Sequence, residues 1–489
     1  MATRASLLQF RTNGSPVHAP AFRRRRLLNW LPLGLGYASL VFMRYNLNAA
    51  QSALSADKLM TLDDFGKIFA VGAWVYLAGF LYFGRKTDVH GGRWGMITGM
   101  TGATASTLLM ALAVKGVIAW HWNVSLFWMI LILYSINMFF QSLGAMSIVT
   151  TKMPWFHVRE RGTFSTIFGM MISTGIYFAF DWGYALVSAT RTQINLQKMD
   201  ATARFFSGLL GSGGHEVNES WWIFLFPALF AIVWLAVIIL TLRNKPSDAG
   251  FADFETGDEH IAETPLTMGQ MLREVFLNPK HRTILIICLI EFCSGGVRNG
   301  VMQLYPKFAE TIGFKHEFWI SQNWGLSLLI AGIIGANATG WVSDKVFRSR
   351  RGPMALFLYG AVIVCAVLMF WELPHHYGKY GASLIMGIAT LVACAAIIGV
   401  HGILSGTAAA DFTGVKNTAK AVGIVDGAVY AGTGVQSWLT GLFLASGPEA
   451  TNPKSWAAWP IIIGLFALGG IFLSGSIYHA FPKSKRAPH

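Results

Sequence analysis

Runs of about twenty apolar residues recur along the whole chain, and about twenty is the number a helix needs to cross the hydrocarbon core of a bilayer. Inside lipid every backbone polar group must find its partner within the protein, so a crossing segment is either a helix or a strand of a closed barrel. Strand-length segments that alternate polar and apolar residues are absent, which argues against a barrel. The sequence therefore predicts an all-α integral membrane protein. Twelve spans are expected, near 27–50, 64–83, 95–117, 123–150, 163–187, 220–242, 281–305, 318–342, 353–374, 380–406, 420–446 and 456–480. Only 13% of residues are charged, against about 25% in soluble domains.

Charge placement sets the expected orientation. Arg85, Lys86 and Arg93 follow span 2, Lys152, Arg159 and Arg161 follow span 4, and Lys345, Arg348, Arg350 and Arg351 follow span 8. Cytoplasmic loops carry such an excess of Lys and Arg, so both termini are expected in the cytoplasm. The other side has Asp57, Asp63 and Asp64 before span 2, and a segment 188–219 of mixed charge. The net charge of +14 is thus spread over short loops, which does not make a groove for nucleic acid. Residues 1–26 form a basic tail ending in Arg23 to Arg26; they read as a disordered cytoplasmic tail, with an organellar transit peptide as the other reading. Residues 481–489 form a second short tail. The four cysteines all fall inside spans without metal-ligand spacing and read as small buried hydrophobes.

The acidic connection 243–280 divides the chain into an expected six-helix bundle at 27–242 and a second at 281–480. The two halves repeat each other. Gly84 and Asp88 after span 2 recur as Gly340 and Asp344 after span 8, both at an offset of 256 residues. A glycine there permits close approach of helices, and the Asp can cap a helix and pair with a loop arginine, Arg93 or Arg348, as a latch between halves. The same offset, within two residues, links two arginines deep in spans: Arg44 in span 1 and Arg298 in span 7 are 254 residues apart. A guanidinium at bilayer depth costs about 3 kcal/mol on insertion scales, so an intramembrane arginine is a functional candidate by default.

GYASLVFMRYNLNAA (36–50), VRNGVMQLYPKF (297–308), GWVSDKVFRSRRG (340–352) and RNKPSDAG (243–250) carry a resemblance to the organophosphate:phosphate antiporters of the major facilitator superfamily. The resemblance covers all twelve spans. It implies two pseudo-symmetric six-helix bundles, a substrate site between them, a monomer, and a home in the bacterial inner membrane. It also implies that Arg44 and Arg298 clamp phosphate, with Tyr37, Tyr430 and His401 lining the site. This chain departs from the glycerol-phosphate members at Tyr45, where they have Lys, at Met171, where they have His, and at Gly295, where they have Tyr.

Guanidinium suits the role because its rigid fork meets phosphate oxygens in pairs and stays charged when buried. Other intramembrane polar groups have two readings each. Glu291 is a structural counter-ion or a protonatable coupling site, and Asp426, one turn from Tyr430, serves specificity or carries a proton. His401 bridges helices or touches phosphate, while Gln141, Asn299 and Gln303 read as helix glue. Asp181 is given no role because water can reach the outer end of span 5. No nucleophile–base set, metal cluster or phosphate-binding glycine loop points to an enzyme or a cofactor. The expected activity is exchange of a small phosphate ester (glycerol phosphate or a sugar phosphate) for inorganic phosphate by alternating access. The alternatives are a proton-coupled carboxylate symporter using the same arginines, and a transporter-like sensor of phosphate esters.

Overall fold

A computed structural model describes residues 9–10, 16–157, 160–192, 199–212, 217–256, 267–279, 282–347, 350–378, 381–405 and 418–479. Helices lie at every expected span. Eight helices among the described residues are long and apolar enough to cross a membrane, and one of them, Leu62–Ala119, supplies both spans 2 and 3. The remaining three spans are more polar: span 1 (Pro20–Ala56), span 5 (Arg161–Tyr177, a π-helical turn Phe178–Trp182, then Gly183–Thr190) and span 11 (Thr418–Phe443). Apolar side chains such as Leu240, Phe472 and Trp371 face outward, as a lipid-facing surface requires.

The expected loop between spans 2 and 3 is nearly absent. Helical backbone continues to a reversal at Gly91, whose φ of 82° lies in the left-handed region open mainly to glycine. A side chain there would also strike Asn244. Asn244 Oδ1 accepts from the backbone N–H of Arg93 at 2.8 Å, and Arg93 Nη2 donates to the Ile239 carbonyl at 2.9 Å. The reversal is thereby tied to the end of span 6.

The tail boundary at residue 26 needs correction. Pro20, pre-shaped for the first helical turn, already opens the span 1 helix, and Arg26 is buried. Its guanidinium makes a two-pronged ion pair with Glu160, at 2.9 and 3.1 Å, and lies over the rings of Phe156 and Phe164. Phe22 and His18 extend this clasp onto Trp155 and Phe254. Residues 16–26 are held because an arginine in a basic run finds both a carboxylate and aromatic faces. Gln9–Phe10 pair antiparallel with Pro16–Val17, while residues 1–8, 11–15 and 480–489 lie outside the described residues.

The two halves meet along spans 2 and 11 and along spans 5 and 8. At the end far from the termini, Gly66 of span 2 lies against the backbone of Gly441 in span 11, with no room for a side chain. Ser52 of span 1 donates to Glu310 at the end of span 7 (Arg282–Ile312). Spans 7 and 11 also pack backbone to backbone inside the second half. A side chain at Gly295 would strike the Val429 carbonyl, and one at Gly432 would strike that of Phe292. Gly295, one of the positions where this chain departs from the family it resembles, is therefore a packing requirement here.

Candidate functional site

Arg44 sits about two-thirds of the way along span 1, only 4% exposed. Three other spans supply its hydrogen-bond partners. Its Nε donates to Gln141 Oε1 in span 4 (Leu126–Trp155) at 2.8 Å, its Nη2 to the Tyr76 hydroxyl in span 2 at 3.3 Å, and its Nη1 to the Tyr430 hydroxyl in span 11. The rings of Tyr76 and Tyr430 are stacked at 3.9 Å and both lie within cation–π range of the guanidinium. Gln141 is itself fixed: its Nε2 donates to Asn137 Oδ1 at 2.5 Å, and Asn137 donates to Thr107 in span 3 at 2.8 Å. Tyr134 donates to the Arg44 carbonyl at 3.3 Å.

All these partners are neutral. Each hydrogen bond to a charged group is worth about 1.5–3 kcal/mol, enough together to hold a buried guanidinium in place. None of them cancels its charge, so the positive potential is kept for an anion. Tyr37, two turns earlier in span 1, is buried against Gly144 and lies within electrostatic reach of Arg44.

Arg298, midway along span 7, is half-buried and hydrogen-bonds to no described residue. Arg44, Tyr45 and Tyr430 are all within its electrostatic reach. One arginine from each half thus faces the seam between halves, and Tyr430 of the second half bonds the arginine of the first.

Terminal-side of Arg298 lies a third group. Glu291, wholly buried, brings Oε2 within 3.0 Å of His401 Nδ1 in span 10 (Ala382–Ile403), and its Oε1 has no partner. His401 is therefore a helix bridge to a carboxylate, and Glu291 takes its counter-ion from His401. Asp426 in span 11 accepts from Ser405 at 2.5 Å and lies within electrostatic reach of Glu291, His401 and Arg298.

The other candidate positions are more scattered. Gly84 packs toward Met268, on the short helix Met268–Leu277 of the central connection, while space around Gly340 is open. Arg348 and the Asp344 side chain lie outside the described residues. Asn299 donates to Gln436 and Ser437 of span 11 at 2.6 and 2.9 Å, which is the expected gluing of helices; Gln303 lines a small cavity beside them. The four cysteines are buried and unpaired.

Three functional positions escaped sequence reasoning. Tyr76 was legible only as a mid-span tyrosine among glycines and aliphatics. Gln141 holds the arginine as well as a helix. Asp181, at the π-helical turn of span 5, accepts from the Gly325 and Leu326 N–H groups at 2.7 and 3.0 Å. Those amides open span 8 (Trp324–Lys345), so a carboxylate of one half caps a helix of the other.

The Major Facilitator Superfamily profile matches residues 33–402. A glycerol-3-phosphate transporter of Bacillus subtilis is 25% identical, over 83% of this chain and 82% of that protein. The membrane sensor protein UhpC of Salmonella typhimurium is 24% identical over 85% and 84%, and an Escherichia coli hexose-6-phosphate:phosphate antiporter 24% identical over 91% and 88%. Among solved structures, a bacterial homolog of the human lysosomal transporter Spinster, described as inward-facing and unoccupied, superposes with a TM-score of 0.66. It shares 15% identity and covers 94% of this chain and 98% of its own.

Proposed function

This chain belongs to the Major Facilitator Superfamily, and we propose that it exchanges a small phosphate ester for inorganic phosphate across the membrane. The observation that carries the reading is the pair of arginines, one from each half, facing the seam within electrostatic reach of each other. Empty, their like charges oppose closure of the seam; a bound phosphate cancels them and favours the closed intermediate, so the halves exchange faces chiefly when loaded. Relatives named as glycerol-3-phosphate transporters and a hexose-6-phosphate:phosphate antiporter support the substrate class. The chain acts as a monomer in a bacterial plasma membrane, with both termini and the central connection in the cytoplasm, an orientation supported by the basic loops. Contacts at Gly66, Ser52 and Asp181 then make the outer gate, with Arg44, Arg298, Tyr37, Tyr430, His401 and Asp426 lining the cavity beneath it.

The test is phosphate counterflow. Purified protein is reconstituted into vesicles loaded with phosphate, and entry of labelled phosphate is followed with and without unlabelled glycerol phosphate, hexose phosphates and carboxylates. Rapid exchange blocked by a phosphate ester supports the reading. No exchange, together with uptake of a carboxylate driven by an imposed pH gradient, overturns it in favour of a proton-coupled symporter. That second reading draws on the protonatable set Glu291, His401 and Asp426.

A further inference from the structure

We propose that Glu291, His401 and Asp426 read a protonated amine on the organic part of the transported molecule, so that the preferred substrate is an amino-bearing phosphate ester. This rests on the phosphate-exchange reading and narrows its substrate class.

Two arginines suffice to balance the two negative charges of a phosphate monoester. The structure then adds two carboxylates beyond Arg298 on the terminal side. Glu291 has no exposed surface, and its Oε1 has no hydrogen-bond partner. Leaving a buried carboxylate oxygen unpaired costs several kcal/mol unless something arrives to satisfy it. His401 engages only Oε2, at 3.0 Å. Among the described residues Asp426 accepts one hydrogen bond, from the Ser405 hydroxyl, which is neutral. Among the described side chains, the charged groups facing this pair are Arg298 from span 7 and His401 from span 10. Arg298 is committed to the anion, so one negative charge on this side lacks a cation among the described side chains.

An ester whose organic part carries only hydroxyls would bring none. An ammonium has three donors and one positive charge, matching the unpartnered Oε1 of Glu291 and the Asp426 carboxylate beside it. The geometry suits a molecule with its two charges apart. Glu291 precedes Arg298 by seven residues on one helix, two turns and about 10 Å of axial rise. An aminoalkyl phosphate or an amino-sugar phosphate spans it with the phosphate toward Arg44 and Arg298.

The experiment uses the full chain in phosphate-loaded vesicles and matched competitors: glucosamine 6-phosphate against glucose 6-phosphate, and 2-aminoethyl phosphate against glycerol phosphate. In at least one pair the amine is expected to inhibit phosphate exchange at about tenfold lower concentration, the scale of one added charge-assisted contact. Asp426→Asn, and separately Glu291→Gln, should bring that ratio close to one. Equal inhibition within both pairs on the unaltered protein, or a preference that survives both substitutions, overturns the inference. If a variant does not assemble, the competitors' relative protection of the unaltered protein against heat in detergent decides: no amine advantage refutes it. Phosphate exchange without amine preference sinks this inference alone, whereas absence of any phosphate exchange sinks the parent reading with it.

Discussion

The two arginines occupy matching places in matching halves, yet their surroundings are opposite. Arg44 is caged by Gln141, Tyr76 and Tyr430, all neutral, in a pocket closed to solvent. Arg298 has its donors free among described residues and two carboxylates nearby. The lesson concerns division of labour. A guanidinium solvated by hydroxyls and an amide is a fixed source of positive potential, while one with unoccupied donors is ready to grip. Pseudo-symmetry of the backbone has been kept while the two arginines took different surroundings.

The sharpest way to break this comparison is substitution by lysine, which keeps charge and loses the fork. Arg44→Lys should both reduce phosphate exchange to about a hundredth and lower thermal stability, because several charge-assisted bonds of about 1.5–3 kcal/mol each are lost. Arg298→Lys should reduce exchange similarly while leaving the melting temperature in detergent nearly unchanged. Equal melting shifts for the two would erase the distinction. A milder probe is Tyr430→Phe. Its hydroxyl competes with phosphate for Arg44 Nη1, so its removal should lower the phosphate concentration for half-saturation by up to about tenfold. A rise in that concentration would instead make the hydroxyl part of the binding surface.

Asp181→Asn tests the seam away from the clamp. Losing the charged cap on span 8 should weaken outer closure by about 1 kcal/mol, seen as roughly fivefold faster labelling of a cysteine placed at Ser327. Unaltered labelling would leave the cap without a part in gating. The smallest effect expected is acid sensitivity of the clasp at the terminal end. Burial pushes the Glu160 carboxyl up, but hydrogen bonds from His18 and Arg26 outweigh it and bring the group down from 4.5 to about 2. A carboxyl held low in the folded state stabilises it fully above the unfolded value and loses that contribution as pH falls through the folded one. Trp155 fluorescence should therefore be flat from pH 8 to about 5 and change only as pH falls from about 4 toward 2. Glu160→Gln should abolish that transition.

Much of this architecture was readable beforehand because it is written twice. Length and hydropathy placed the spans, and the repeated offsets of the Gly/Asp pairs and the arginines exposed the halves. What could not be read depends on contacts between distant segments. Asp181 looked idle because its partners are two backbone amides, which carry no residue identity, on a helix that begins at Trp324, six residues beyond the expected edge. Tyr76 and Gln141 are one polar residue each in otherwise apolar helices, with no spacing that links them to Arg44. The contact of Arg93 with span 6 was not readable either, because it depends on the Gly91 reversal, which carries the guanidinium to the Ile239 carbonyl.

The cap made by Asp181 has a consequence for how the cycle is driven. When the seam parts, the Gly325 and Leu326 amides and the carboxylate oxygens become accessible to water, which can replace each partner one for one. As a gate the cap would be a swap of similar ligands, cheap in both directions, so the bond itself favours outer closure by only about 1 kcal/mol. A closure of that kind stores little work. It lets the concentrations of the exchanged solutes on the two sides dictate which way the machine turns.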